Sequence, residues 1–225
     1  GGWASGSCPH NRIYAIKFVL RSEGPRDYFD MLRSFKHPPT INVSDIPSRL
    51  ATFANRVEPE FFTPNDGQWF PSTEENISLA SDGKLQKQLE WTYSSANTCV
   101  DDSVHPVTGT RERYCLYDRF HEKNSHNPAD VLRRITLCPQ LHTKVNSESH
   151  EQLHQILNKD NYFLNMMNPA THVFMKRLLV HLRNENKNEQ EQVRQGDVMK
   201  KHGITGELAL DSMGRLVINH DINDK

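Results

Sequence analysis

Four cysteines in 225 residues (Cys8, Cys99, Cys115 and Cys138) are too few for a disulfide scaffold. No apolar run approaches the roughly 20 residues that a membrane-spanning helix needs, so no membrane partner is expected. No surplus of positive charge marks a strong polyanion binder, since 27 Lys and Arg stand against 28 Asp and Glu. Any DNA contact therefore has to come from local patches. G-x-S-x-G and the P-loop are both missing, as is any Ser/His/Asp or Cys/His grouping, which argues against hydrolase and NTPase chemistry. A secretory leader is missing too, and with the sparse cysteines this points to a reducing, intracellular setting. The chain opens on Gly1, inside a Gly/Ser stretch, and reads as a piece cut from a longer protein.

What is present patterns as a soluble α/β domain with long solvated segments, hydrophobic residues making up a lean 36%. Residues 10–36 read as two helices broken at Gly24-Pro25, with Ile13, Ile16, Val19 and Leu20 in the first and Tyr28, Met31, Leu32 and Phe35 in the second. Thr40–Asp45 is a β-branched run ending in an acid, and Pro47 opens a helix that Ser44 or Asp45 is placed to cap. From Val57 to about Thr110 no period holds. Order returns with a strand at Tyr114–Phe120 and helices at Pro128–Leu137, Asn146–Asn158 and Asn161–Leu182, the last kinked at Pro169. A charged, Gln-rich stretch over residues 184–202 precedes a hairpin of Glu207–Leu210 and Arg215–Ile218. These runs divide the chain into a core over residues 1–56, an insertion over 57–126, a helical remainder of the core over 127–183, and a linker with hairpin over 184–225.

Asp45 ends a strand and Glu151 sits on a packed helix. Carboxylates in such places are the parts of a metal-dependent phosphoryl-transfer site, because hard divalent cations take carboxylate oxygens. The plain alternative is a helix cap and a solvated Glu. Several strings surround them: Gly6-Ser7-Cys8-Pro9-His10, Ile13–Phe18, Glu23–Tyr28, Asn42-Val43-Ser44-Asp45-Ile46, Tyr117–Asn124 and Asn146–Leu153. In this order, over about residues 6–183, they resemble the RNase H-like transposase domain of the Kyakuja-Dileera-Zisupton group and its domesticated relatives, an HMG-box protein among them. The resemblance implies a mixed sheet with flanking helices, interrupted here by the long insertion, and DNA cutting and joining by a DDE triad with Mg²⁺. Asp45 would match the second acid and Glu151 the third, with Glu148 as a substitute. The first acid belongs on a strand ahead of Gly1, so this fragment is expected to be inactive alone and its sheet to expose an edge or apolar face. Ile46-Pro47-Ser48 stands where the family keeps small and Cys-containing residues, which fits either drift or a domesticated nuclear module that contacts DNA or protein without chemistry.

Cys99/His105 and Cys115/His121 share the spacing C-x5-H. Thiolate and imidazole suit tetrahedral Zn²⁺, so the four form a possible zinc staple for the insertion; the alternative is two buried thiols and two surface histidines. Asp118–Asn124 is dense in polar groups, either a strand-to-loop corner contacting DNA or orienting the catalytic acids, or a hydrogen-bonded turn anchored by Phe120. Two basic groups, Arg111–Arg134 and Lys176–Arg183, are open to phosphate contact, with a solvated face as the alternative. Trp69, Phe70 and Trp91 are expected to pack the insertion rather than stack on bases.

Overall fold

The computed structural model describes residues 2–90, 104–122, 125, 127–142, 149–159, 161–203, 207–210 and 216–219. It clusters into two units, Gly1–Asp160 and Asn161–Lys225. The first carries two sheets. Strands β1 (Gly2–Ser7) and β2 (Ile13–Val19) form an antiparallel hairpin in which Trp3 faces Phe18 and Ser5 faces Ile16. Strands β3 (Ile41–Ser44) and β4 (Tyr114–Tyr117) pair in parallel, with Ile41 opposite Tyr114 and Ser44 opposite Tyr117. Among the described residues the expected single mixed sheet is thus a set of separate two-stranded pairs, within a mixed α/β unit.

The first of the helices read from residues 10–36 is strand β2. Its Ile13, Tyr14, Ile16, Phe18 and Val19 are β-branched or aromatic, and tertiary pairing with β1 decides what the short apolar run becomes. The second is helix α1 (Pro25–Arg33), with Pro25 in its first turn and the Asp27 carboxylate accepting the Gly24 N–H at 3.2 Å. Lys17 of β2 clamps the hairpin onto α1 through Asp30 at 2.7 Å and Asp27 at 3.0 Å. Helix α2 (Pro47–Val57) starts as expected at Pro47, but the position before it is Ile46, which offers no side-chain cap. The Ser44 hydroxyl takes the Ile46 N–H instead, at 3.1 Å.

Strand β4 is the centre of the unit: Tyr114, Cys115 and Leu116 are wholly buried and Tyr117 nearly so. One side of it carries Phe29, Leu32, Leu50, Ala51, Ala54, Phe61 and Phe62 against Cys115. The other carries Trp69, Ala80, Leu89, Val131, Leu132 and Leu137 against Tyr114 and Leu116. The aperiodic stretch after Val57 therefore supplies core residues directly. Asn55 fixes its entry, accepting the Phe62 N–H at 2.8 Å and donating to Phe62 O at 3.1 Å. Gly67 has φ +77°, and a Cβ there would meet the Cys115 backbone nitrogen at 3.0 Å, so the loop's close approach to β4 requires glycine. Trp69 stacks on Tyr114 with centroids 4.4 Å apart and donates its indole N–H to Arg134 O at 2.9 Å. Helix α3 (Glu74–Ser81) is capped by Thr73, whose hydroxyl accepts the Asn76 N–H.

The helix expected at Pro128–Leu137 is two 3-10 turns, Pro128–Arg133 and Ile135–Leu137, parted at Arg134. Arg134 is extended there because it bridges to Tyr117 at the end of β4. The turns bring Asp130 and Arg133 inside, where Tyr117 and Ser125 hydroxyls donate to Asp130 and Arg133 donates to Cys115 O at 3.0 Å. A short helix α4 (Pro139–His142) and helix α5 (Ser149–Asn158) follow; of the apolar stripe Leu153, Ile156 and Leu157 that helical spacing predicts, α5 buries Leu153 and Leu157, whereas Ile156 is 43% exposed.

In the second unit, Pro169 starts a helix rather than kinking one. Helix α6 (Asn161–Asn165) ends before it, Asn168 caps the Thr171 N–H at 3.0 Å, and α7 runs unbroken over Pro169–Lys201. The Gln-rich stretch is the second half of α7. Strands β5 (Glu207–Leu210) and β6 (Leu216–Asn219) form the expected hairpin, Leu210 facing Leu216.

Trp69→Ala removes a side chain 2% exposed and should destabilise the chain by about 3–5 kcal/mol, against under about 0.5 kcal/mol for an exposed-site control such as Phe120→Ala. Urea unfolding followed by far-UV circular dichroism measures both. Equal costs would show that the insertion does not share the core.

Candidate functional site

The first unit contains a cleft of about 790 Å³. Four consecutive residues of β1 (Ala4, Ser5, Gly6, Ser7) line it, and so do all four of β3 (Ile41, Asn42, Val43, Ser44). Helix α1 contributes Tyr28, Met31 and Leu32, and α5 contributes His154. Ala4 packs with Met31, whereas the adjacent Ser5 places its hydroxyl 3.1 Å from His154 Nε2. Successive side chains of a strand point to opposite faces, so α1 and α5 cover opposite faces of β1.

The polar mouth of the cleft is set by the strand ends. Asp45 directly follows β3 and Asp118 directly follows β4, and the register that places Ser44 opposite Tyr117 makes these two acids neighbours. In α/β folds ligands bind outside the carboxyl ends of parallel strands, which is where both acids lie. Asp45 is exposed, its carboxylate accepting from the Ser44 hydroxyl at 3.3 Å. Asp118 is engaged: Oδ1 accepts the His121 N–H and Oδ2 meets His121 Nδ1, each at 2.7 Å. That pairing orients the imidazole through one nitrogen and leaves its chemistry to the other. Glu23 adds a third carboxylate beside the Tyr28 phenol, whose titration is raised by burial first and then by Glu23 and Asp45.

Two more histidines, His37 and His105, line the rim with ring centroids 6.5 Å apart. The loop bearing His105 is tied to the start of β3 by a 2.9 Å bond between the Thr40 and Thr108 hydroxyls. Burial holds the His105 imidazole below its ordinary titration, and His37 and Arg113 add to the effect.

Of the sequence-read residues, the structure therefore joins Asp45 to Asp118 and His121. Glu151 lies on α5 one turn before His154, and its side chain and that of Glu148 are outside the described residues. Of the C-x5-H pairs, Cys99 is outside them as well. Cys115 is in the core, donating its thiol to Pro47 O at 3.4 Å, and burial pushes it up to about 12. His105 and His121 line the cleft, and among the described residues no three His, Cys, Asp or Glu side chains are grouped to hold a metal ion. The Asp118–Asn124 string is a hydrogen-bonded turn in its described part, but Phe120 does not anchor it, being 69% exposed. Glu122 does, through the Thr136 N–H and hydroxyl at 3.3 and 3.2 Å.

The basic groups divide as well. Arg133 is buried, and Arg113 donates to Phe61 O at 3.2 Å and lies over the Phe61 ring, so both serve the core. Arg111 and Arg119 are exposed. On α7, Lys176 is buried with its ammonium 3.2 Å from Asn161 Oδ1, whereas Arg177 and His181 are exposed. The clustering of His37, His105 and His154 around the cleft was invisible in sequence; only the β3–β4 register and the α5 docking reveal it.

No family model matches the chain, and no solved structure does. The human HMG domain-containing protein 3 is similar to it, 29% identical over 146 residues, which cover 63% of this chain and 11% of that protein. The chain thus spans a small part of the length of the relative it matches. No helix among the described residues is long and apolar enough to cross a membrane.

His37→Ala should raise the titration midpoint of His105 toward its reference value of 6.5, as followed by NMR of the imidazole protons. A depressed imidazole stabilises the fold fully above that reference value, and the contribution is lost as pH falls through the folded midpoint. An unchanged midpoint in the variant would place His37 away from His105.

Proposed function

We propose that the chain is a domesticated, non-catalytic module of a nuclear protein that contacts DNA, derived from an RNase H-like transposase domain. The observation that carries this reading is its likeness to a protein named for an HMG domain, a class of domain that binds the DNA minor groove. Arg111 and Arg119, exposed before and after β4, are the candidate phosphate contacts.

A second reading keeps the ancestral chemistry. It is favoured by Asp45 and Asp118 at the ends of adjacent parallel strands. Asp45 offers exposed hard oxygen donors and fits a divalent ion of the Mg²⁺ type, with Glu151 as its partner acid; such an ion supplies charge stabilisation to phosphoryl transfer. Asp118 fits less well, because both of its oxygens are already taken by His121. The non-catalytic reading takes precedence for that reason.

Fluorescence anisotropy with a duplex of about 20 base pairs tests the proposal. Affinity should fall as salt rises from about 50 to 200 mM, and the Arg111→Ala/Arg119→Ala double variant should flatten the log–log slope by about 1–2. A chain that fails to bind duplex at the lower salt overturns it. Mg²⁺- or Mn²⁺-dependent nicking that disappears in Asp45→Asn would replace it with the nuclease reading.

A further inference from the structure

The cleft has the construction of a vacant strand position. One wall is the backbone of β1 and the other the backbone of β3, each contributing consecutive residues rather than the alternate residues that a sheet face would present. An unbroken run of lining residues means that the strand edge, and not one pleated face, borders the space. Strand β1 pairs only with β2 and β3 only with β4 among the described residues. No other backbone–backbone hydrogen bond within that set reaches Ala4–Gly6 or Ile41–Ser44. Two such edges are strong hydrogen-bonding surfaces, and proteins otherwise shield or charge them.

The space between them is also roofed and floored. Met31 and Leu32 of α1, with Phe35 and Leu50, make one cover apolar, while His154, Ile135 and Leu141 lie toward the other. A chain buried between helices on both faces is the environment of an interior strand. Extended polypeptide carries donors and acceptors on both of its sides at the strand repeat, and so matches two facing edges at once.

We propose that this cleft binds an extended polypeptide strand by two-sided β-augmentation, joining the β1–β2 and β3–β4 pairs into one five-stranded sheet. Alternate residues of the guest are apolar, facing Met31 and Leu32, and the residues between them are small or polar, facing His154. One end of the guest lies beside Asp45, Asp118 and His121. The inference goes beyond the DNA reading and does not rest on it.

The test uses the full chain with a nine-residue peptide alternating Val and Thr, added in trans at up to millimolar concentration, and with the same strand fused ahead of Gly1 through a flexible linker that raises its effective concentration. Residue-resolved hydrogen exchange should slow by about ten-fold or more at cleft-facing amides of both Ala4–Gly6 and Ile41–Ser44. A guest interrupted by proline should give no protection, because proline lacks the N–H. In a parallel strand consecutive residues send their N–H groups to opposite edges. One of Asn42→Pro and Val43→Pro should therefore abolish protection while keeping the native circular dichroism, and the other should disrupt pairing with β4. No protection even from the fused strand overturns the proposal. So does protection at one edge only, or equal protection by the proline-interrupted guest. None of these outcomes depends on whether the chain binds duplex DNA.

Discussion

The structure depends on keeping the backbone of one strand, Tyr114–Tyr117, satisfied away from water. A two-stranded parallel pair leaves half of that strand's polar groups without a ladder partner, and a buried unpaired group costs about 1–3 kcal/mol. The chain answers with partners drawn from distant segments. Arg133 donates to Cys115 O and Arg134 bridges to Tyr117, while on the β3 side the Tyr114 N–H continues the ladder to Thr40 O at 2.7 Å. The neighbouring Arg113 N–H goes to Thr63 O, also at 2.7 Å. The long aperiodic segment is ordered around these needs, with Gly67 against the strand's backbone and Trp69 against its first side chain.

The same constraint produces the cleft. Once β4 is buried and paired to β3, the register delivers Asp45 and Asp118 side by side at the carboxyl ends, and the second edge of β3 is turned toward β1 across the open space. Helices α1 and α2, which bury one side of the strand pair, also cover the cleft, while its histidines come from connecting segments (His37, His105, His121) and from α5 (His154). What holds β4 therefore also aims the two acids.

How much of this was legible in the sequence depended on whether a signal was local. Ile41–Ser44 and the helix opening at Pro47 were readable because β-branched residues and a first-turn proline act through their own backbone. Helix α5 and the final hairpin were readable from equally local periodicity, although Ile156 of the α5 stripe is exposed. Strand β2 was misread because Ile13, Ile16, Val19 and Leu20 fit a helical period as well as a strand, and only pairing with β1 separates the two. Pro169 was read as a kink, although Asn168 before it is a good cap and the pair marks a helix start. The site was half legible. Asp45 could be singled out by its place after a strand, and Asp118 and His121 stood in a string noted for its polarity. Their juxtaposition required the β3–β4 register across an insertion of some seventy residues, which no local pattern encodes.

The most direct test is native-state hydrogen exchange of the unliganded chain, resolved by residue. The account predicts that amides of Tyr114–Tyr117 exchange only through global unfolding, whereas about half of those in Ala4–Gly6 and Ile41–Ser44, the ones facing the cleft, exchange orders of magnitude faster. Uniform protection along β1 and β3 would contradict it, and so would β4 amides that exchange as fast as those of the peripheral helix α3.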